Sequence, residues 1–314
     1  MKYLFVMDPI EAVQIDLDST FAVMFEAQNR GYEVWYCLMG ELRLEHDRPV
    51  ATARRVVLRK EQGNHADLGP ATAVGLRDMD AIFMRKDPPF NMEYIFATYI
   101  LEAAEPDALV VNRAASLRSH NEKLYALQFP EFCPETVVSS QATELKAFQE
   151  RLGGPMVVKP LDGNGGRGIF IVRPDDPNRN VIFEESTKNG ATPILAQRYL
   201  PEARQGDKRV LIIDGEFHGA TLRVPGSADP RGNLHVGARA EPTTLTKRET
   251  ELLAALSPRL IADGHIFVGI DVIGEHLTEV NVTSPTGIHE VNEHDGRCVE
   301  GAIIDALERR ISAR

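Results

Sequence analysis

The run Gly269-Ile270-Asp271-Val272-Ile273-Gly274-Glu275-His276-Leu277-Thr278-Glu279-Val280-Asn281-Val282 places two apolar stretches on either side of a Gly-Glu-His turn. That pattern reads as a β-hairpin. Side chains alternate faces along a strand, so Glu279 and Asn281 point the same way. Pairing across a short turn can bring Asp271 to that face too. Two carboxylates and one amide oxygen, with no histidine or thiolate, suit a hard cation such as Mg²⁺, which keeps positions open for water and phosphate oxygens. A cation held by three side chains needs a further ligand, and a nucleotide would supply it. The other reading of this segment is a hairpin end carrying solvated polar groups, and the segment alone leaves both open.

A second motif lies upstream. Pro160-Leu161-Asp162-Gly163-Asn164-Gly165-Gly166-Arg167-Gly168 contains G-x-G-x-x-G at Gly163, Gly165 and Gly168. A dinucleotide fingerprint must leave a strand and open a helix. Here the next segment, Ile169-Phe170-Ile171-Val172, reads as a strand. The loop is therefore a β-loop-β flap, in which glycines, Gly166 included, let backbone N–H groups approach phosphates. A long hairpin turn would also use glycine, but needs fewer of them. Lys159 ends the strand entering the loop, and Lys123 lies on a helix at the start of the same lobe. Either can set an ammonium against phosphates. Singly, each also reads as solvated surface.

Arg209, Arg223, Arg231 and Arg239 fall between the flap and the hairpin. The whole chain is acidic, with a formal net charge of −11 over 314 residues. That balance disfavours nucleic acid or an anionic membrane as partner. A local arginine set in such a chain points instead to anionic substrate groups and a charged transition state. A surface salt bridge is the plain reading for any one of them. Arg231 and Arg239 sit in the stretch 225–242, rich in Gly, Pro, Ala and Arg, which reads as a lid.

The remaining pattern describes an α/β protein. Strand 3–7, a helix capped by Asp18 or Ser19 and ending near Gly31, and strand 32–38 make a βαβ start. Strands at 81–84 and 109–111, with helices between and after them, complete a small parallel sheet in residues 1–122. From residue 123 the order changes to α+β: a flap lobe over 123–200, then a metal and substrate lobe over 201–314. Pro285 suits the first turn of a short helix capped by Thr283 or Ser284. The three cysteines, Cys37, Cys133 and Cys298, form no CxxC pair and no disulfide framework, which points to the cytoplasm. No segment has the length of a membrane span.

Taken together, these blocks resemble bacterial glutathione synthetase, an ATP-grasp ligase family, over essentially the full chain. The stretches carrying the likeness include Met84-Arg85-Lys86-Asp87-Pro88-Pro89-Phe90, Asn121-Glu122-Lys123-Leu124, Val158-Lys159-Pro160-Leu161-Asp162-Gly163, Gly206-Asp207-Lys208-Arg209 and Glu279-Val280-Asn281-Val282-Thr283-Ser284-Pro285-Thr286. The resemblance implies an N-terminal parallel-sheet domain followed by a two-lobed ATP-grasp domain. It implies ATP-dependent joining of γ-glutamylcysteine to glycine through an acyl phosphate, with Mg²⁺, or Mn²⁺ in its place. It places Lys123 and Lys159 on ATP phosphates, Gln197, Tyr199 and Leu200 along the adenine pocket, and Asp271, Glu279 and Asn281 on the metal. It sets Arg209 and Arg223 by the dipeptide and acyl phosphate, Arg231 and Arg239 in the lid, and Ser284, Pro285 and Thr286 on the substrate side. It also implies a homo-oligomer, dimer or tetramer. Two departures stand out: His289 replaces a usual arginine, and the flap carries Arg167 where a small residue is usual. The departure at His289 leaves open a carboxylate–amine ligase with another acceptor; a nucleotide-binding module without catalysis is a further reading, since the fold also occurs in binding proteins.

Overall fold

A computed structural model describes residues 1–163, 165–226 and 238–314. Three sheets organise it. The first begins with strand Lys2–Val6, whose residues Tyr3 to Val6 are fully buried. It pairs in parallel with Glu33–Cys37 on one side and Ala81–Met84 on the other, and Leu109–Val111 extends the parallel set. Asp18 caps the first helix, Ser19–Asn29, by accepting a hydrogen bond from the Phe21 N–H at 2.7 Å. This parallel core matches the sequence reading. The sheet nevertheless has eight strands and is mixed. Residues 42–75, where no strand was expected, add Leu42–Glu45, Arg48–Leu58, Ala66–Leu68 and Thr72–Gly75 in antiparallel pairing.

The second sheet has four strands, with Met156–Pro160 between Phe170–Val172 and Ile194–Arg198, and Thr136–Ser139 at the far edge. Its apolar face packs under the helices Ala142–Leu152 and Arg179–Ser186, in a core of its own around Phe148, Val158 and Phe183. The third sheet has five strands. Asp207–Ile213 lies between Glu216–Val224 and Phe267–Ile273, with Arg239–Pro242 and His276–Asn281 at the edges. Asp214 and Gly215, at φ of 54° and 82°, make the two-residue turn between Asp207–Ile213 and Glu216–Val224.

The third sheet shares its cores with the N-terminal sheet rather than with the flap sheet. One face, including Val210, Ile270 and Leu277, packs with Leu4, Ile82 and Tyr94 and with the helix Lys247–Ala262. On the other, Leu211 and Phe267 join Tyr3 and Phe5 beneath the C-terminal helix Val299–Ser312. Buried Asn112, just past strand Leu109–Val111, staples the two sheets. Its amide donates to the Phe267 and Val282 carbonyls at 2.7 and 2.6 Å, and its oxygen accepts from the Ile266 and Phe267 N–H groups at 2.7 and 2.9 Å. The described residues of 1–122 and 201–314 thus form one packed base, over which the flap lobe stands on a separate core. Pro285 is not in a helix: the nearest one runs Ile288–Asp295 and is entered through Gly287 at φ 118°.

Candidate functional site

A cleft of about 710 Å³ opens between the flap sheet and the five-stranded sheet. Its floor is a charged row across four strands. Asp207 and Arg209 sit two apart on one strand and share a face. Asp207 pairs with Arg223 on the strand to one side, and Arg209 with Asp271 on the other. Asp271 in turn stands across from Glu279.

That last pairing depends on a bulge. Ile273 pairs with His276 and Val272 with Leu277, so regular alternation would set Asp271 against Thr278 and turn Glu279 into the core. The register shifts after Asp271, and Thr278 becomes the extra residue, its hydroxyl donating to the Asp271 carbonyl at 3.0 Å. Leu277 and Val280 consequently both reach the core, while Glu279 and Asn281 line the cleft.

The electrostatics of the row are tightly matched. Arg209 donates from Nε and Nη2 to the two Asp271 oxygens at 2.6 and 3.0 Å, and from Nη1 to the Thr286 carbonyl at 3.0 Å. Arg223 reaches Asp207 through Nε at 2.9 Å and Asp271 Oδ1 through Nη2 at 3.0 Å. Burial opposes ionisation of Asp271, but Arg209 and Arg223 overcome it and hold the carboxyl far below the usual range. Burial, then the neighbouring Asp271 charge, push Asp207 up to about 6 against the pull of Arg223.

From the opposite wall, Lys123 binds the parts together. Asn121 caps its helix, accepting from the Lys123 and Leu124 N–H groups, and also donates to the Leu161 carbonyl at 2.8 Å. Lys123 Nζ donates to Glu122 at 2.5 Å and to the Gly163 carbonyl at 2.8 Å, and lies 3.8 Å from Glu279. Burial would lower its pKa, yet Glu279 and Glu122 raise it. Burial, then the Glu279 charge, lift Glu122 to about 6.

Lys159 is 8% exposed and lies 3.5 Å from the Gln197 oxygen on the paired strand. Tyr199 and Leu200 follow at the strand's end, and all three line the cleft. The glycines are required by geometry at two places. A Cβ on Gly163 would stand 2.5 Å from the Pro160 ring, and Gly165 and Gly166 hold consecutive φ of 61° and 76°.

The cleft therefore gathers Lys123, Lys159, Gly163, Gly165, Gly166 and Gly168 with Gln197, Tyr199 and Leu200. It also takes in Arg209, Arg223, Asp271, Glu279, Asn281, Ser284, Pro285 and Thr286. Arg239 is elsewhere: its side chain is 76% exposed at a sheet edge and pairs with Glu241 at 3.1 Å. Arg231 lies outside the described residues, as does most of the lid stretch 225–242. Asp207, Glu122 and Thr278 went unread in the sequence. The i, i+2 spacing of Asp207 and Arg209 was the available signal for the first. His289 does not line the cleft; its Nε2 is 3.1 Å from the Asp18 carbonyl oxygen.

Among the described residues, no group of three or more His, Cys, Asp or Glu could hold a metal alone. Both Asp271 oxygens are taken by guanidinium groups, and Asn281 Nδ2 donates to one of them at 3.2 Å. That bond leaves the Asn281 oxygen and the Glu279 carboxylate as hard donors on the cleft wall. They fit Mg²⁺ as a partial site that phosphate oxygens and water would complete.

Residues 1–118 match the N-terminal domain of prokaryotic glutathione synthetase, and residues 122–296 its ATP-grasp domain. A glutathione synthetase of Vibrio cholerae is 45% identical, covering 100% of this chain and 99% of that protein. One from Vibrio parahaemolyticus is 44% identical over 99% of each. Among solved structures, a D-cycloserine synthetase superposes with a TM-score of 0.65 at 15% identity, covering 99% of this chain and 100% of its own, a likeness of fold. No described helix is long and apolar enough to cross a membrane. With matched domains spanning both halves and full-length relatives at this identity, the chain belongs to the prokaryotic glutathione synthetase family.

Proposed function

We propose that this protein joins γ-glutamylcysteine to glycine at the expense of ATP, giving glutathione, ADP and phosphate. One observation carries the reading: a single cleft brings the glycine flap and its lysines against a floor of two buried arginines and two free oxygen donors. A carboxylate is a poor electrophile. Transfer of the γ-phosphoryl group to it brings anions together, and such a transition state needs fixed cations around it.

Lys159 and the N–H groups of the flap bind the nucleotide phosphates, with Gln197, Tyr199 and Leu200 along the base. Lys123 ties the flap to the hairpin, so flap position and Glu279 are coupled. Arg209 and Arg223 orient the dipeptide carboxylate, and Asp271 and Asp207 hold their guanidinium planes. Glu279 and Asn281 would hold Mg²⁺, which supplies charge neutralisation between phosphate oxygens. A dipeptide carboxylate oxygen bonds to the γ-phosphorus as the bond to ADP breaks. The glycine nitrogen then bonds to the acyl carbon, phosphate leaves, and the amine gives up its proton. Ser284, Pro285 and Thr286 form the substrate-side wall, fixed by the Arg209 bond to the Thr286 carbonyl. Because His289 faces Asp18 rather than the cleft, that departure supplies no argument for another acceptor.

The same reading places the protein in the cytoplasm, supported by three cysteines without a disulfide. Family likeness supports a homo-oligomer. The test is mass spectrometry of products from ATP, γ-glutamylcysteine and a panel of small amines. Glutathione with one ADP per peptide bond is expected; a preferred acceptor other than glycine would overturn the assignment.

A further inference from the structure

Of the flap residues Gly165 to Gly168, one carries a side chain. Gly165, Gly166 and Gly168 hold φ of 61°, 76° and 71°, a conformation that side chains disfavour, and Arg167 among them lies outside that region. The loop is folded back on its own base. A Cβ on Gly168 would stand 3.2 Å from the Pro160 ring, and one on Gly163 would stand 3.3 Å from the Arg167 carbonyl oxygen. Lys123 holds the Gly163 carbonyl at 2.8 Å and lies 3.8 Å from Glu279, so the loop is tied to the hairpin. Arg167 itself is exposed and lines the main cleft.

The other cations of the lining are engaged. Lys123 pairs with Glu122, Arg198 with Glu135, Arg209 with Asp271 and Arg223 with Asp207, and Lys159 meets the Gln197 oxygen. Among the described residues, the Arg167 side chain has neither an ion pair nor a hydrogen bond. It offers a planar fork of donors, which matches a phosphate group. Strand register says which part of a nucleotide lies near it. Val157 pairs with Gln197, and Lys159 with Leu195, so the base side of the cleft is at the Met156 end of the strand. The chain leaves for the loop at the other end, past Lys159, which stands roughly 7 Å along the strand from the Gln197 row. On the return strand Phe170 pairs with Val158, which puts Arg167 beyond the level of Pro160. A nucleotide with its base at Gln197 therefore runs its phosphate chain toward this loop. Its terminal phosphate comes last, on the side where Lys123 joins the loop to Glu279.

We propose that Arg167 is a side-chain ligand of the terminal phosphate of ATP. The inference rests on the ligase reading above and deepens it. As a dipeptide carboxylate oxygen bonds to the γ-phosphorus, the bond to the β–γ bridging oxygen breaks and its electron pair stays on ADP. Arg167 donates hydrogen bonds to the non-bridging γ oxygens throughout and exchanges no proton. ADP lacks those oxygens, so Arg167 favours the ATP-loaded site and does not hold the ADP product. The backbone N–H groups of the flap serve phosphates in general; a guanidinium at this position adds recognition of the last one. A small residue, usual at this place in the family, has no such reach, so the contact belongs to this chain.

Calorimetric titration tests the contact apart from turnover. The unaltered protein and Arg167→Ala are each titrated with ADP and with the β,γ-imido analogue of ATP, in the presence of Mg²⁺. Losing a hydrogen-bonded charged partner should weaken the imido analogue by roughly tenfold or more and leave ADP nearly unchanged. In glutathione formation kcat/KM for ATP should fall by a like factor, with the KM values for γ-glutamylcysteine and glycine unmoved. Arg167→Lys should recover part of both losses. The urea midpoint of either variant should stay at the parent's value, because Arg167 is exposed. Equal weakening of ADP and the imido analogue overturns the proposal, since it would set Arg167 on the inner phosphates or make it a matter of flap shape. So does no change with either nucleotide, or a loss confined to the KM for glycine or the dipeptide. An unaltered protein that binds both nucleotides but releases no ADP with γ-glutamylcysteine and glycine overturns the ligase reading, whereas unchanged discrimination between the nucleotides in Arg167→Ala overturns this inference alone.

Discussion

Arg209 grips Asp271 with two parallel hydrogen bonds, Nε to Oδ1 at 2.6 Å and Nη2 to Oδ2 at 3.0 Å. Such a fork fixes the plane of the guanidinium as well as its position. Arg223 adds a third contact to the same carboxylate. Asp271 is thus first a counter-ion for two buried arginines, and the free donors beside it are Glu279 and Asn281. The hairpin thus carries both the carboxylate that aligns two guanidinium groups and two oxygen donors on the cleft wall.

Replacing Asp271 by Asn should leave two buried guanidinium groups with one carboxylate, Asp207, between them. Removing one partner of a buried ion pair costs about 3–5 kcal/mol. Urea unfolding of Asp271→Asn is expected to show a loss on that scale, together with a fall in kcat that added Mg²⁺ does not rescue. Unchanged stability would mean that the arginines find other partners.

Glu279→Gln should act differently. Glu279 is partly exposed, at 20%, and its nearest cation is Lys123 at 3.8 Å, so its loss strands little buried charge. The fold and the unfolding midpoint should stay close to the parent. Turnover should fall roughly a hundredfold, the scale of losing one preorganised electrostatic contact, and the Mg²⁺ concentration for half-maximal rate should rise. Near-normal rates at limiting Mg²⁺ would remove Glu279 from the metal site.

The contrast shows where the sequence was legible. Alternation put Glu279 and Asn281 on one face, and both line the cleft. The flap's character followed from a strand after the glycines rather than a helix, and the structure has Phe170–Val172 there. The bulge at Thr278 was not legible, because an extra residue leaves the apolar pattern intact and shows only in cross-strand register. Neither was the antiparallel group in residues 42–75, whose longest strand, Arg48–Leu58, alternates apolar residues with arginine and threonine near a sheet edge. Chain order also hid the packing: the sheet of residues 207–281 shares cores with residues 3–129, not with the flap that precedes it.

Lys159→Ala should weaken ATP use while leaving the flap strand in place. Lys159 is 8% exposed, and among the described residues its polar partner is the neutral Gln197 oxygen at 3.5 Å, so the charge is available to phosphate. A loss of about 2–4 kcal/mol in transition-state stabilisation is expected, read as kcat/KM for ATP. An unchanged kcat/KM for ATP would take Lys159 out of the site.

Acid should destabilise the joint between the N-terminal domain and the five-stranded sheet through His265. This histidine is fully buried, and its Nε2 lies 2.8 Å from His120 Nδ1, the residue that precedes the helix cap Asn121. Tyr125 packs on both rings, its hydroxyl donating to Asp263 at 2.7 Å, and Arg259 also binds Asp263, at 2.7 Å. Burial, then the neighbouring His120, press the His265 pKa down from 6.5 to about 3, with Asp263 only partly opposing. Between those values the unfolded chain binds a proton that the folded chain does not. Stability therefore rises with pH across that window and is lost as pH falls below about 6.5. One such proton changes unfolding free energy by about 1.4 kcal/mol per pH unit. The stability of the parent relative to His265→Gln should fall as pH falls from 6 to 4.5, measured by urea midpoints at each pH. Glu122 and Asp207, raised to about 6, slope the other way, but they are common to both proteins and cancel in the comparison. Identical slopes would show that His265 takes up its proton within the folded protein.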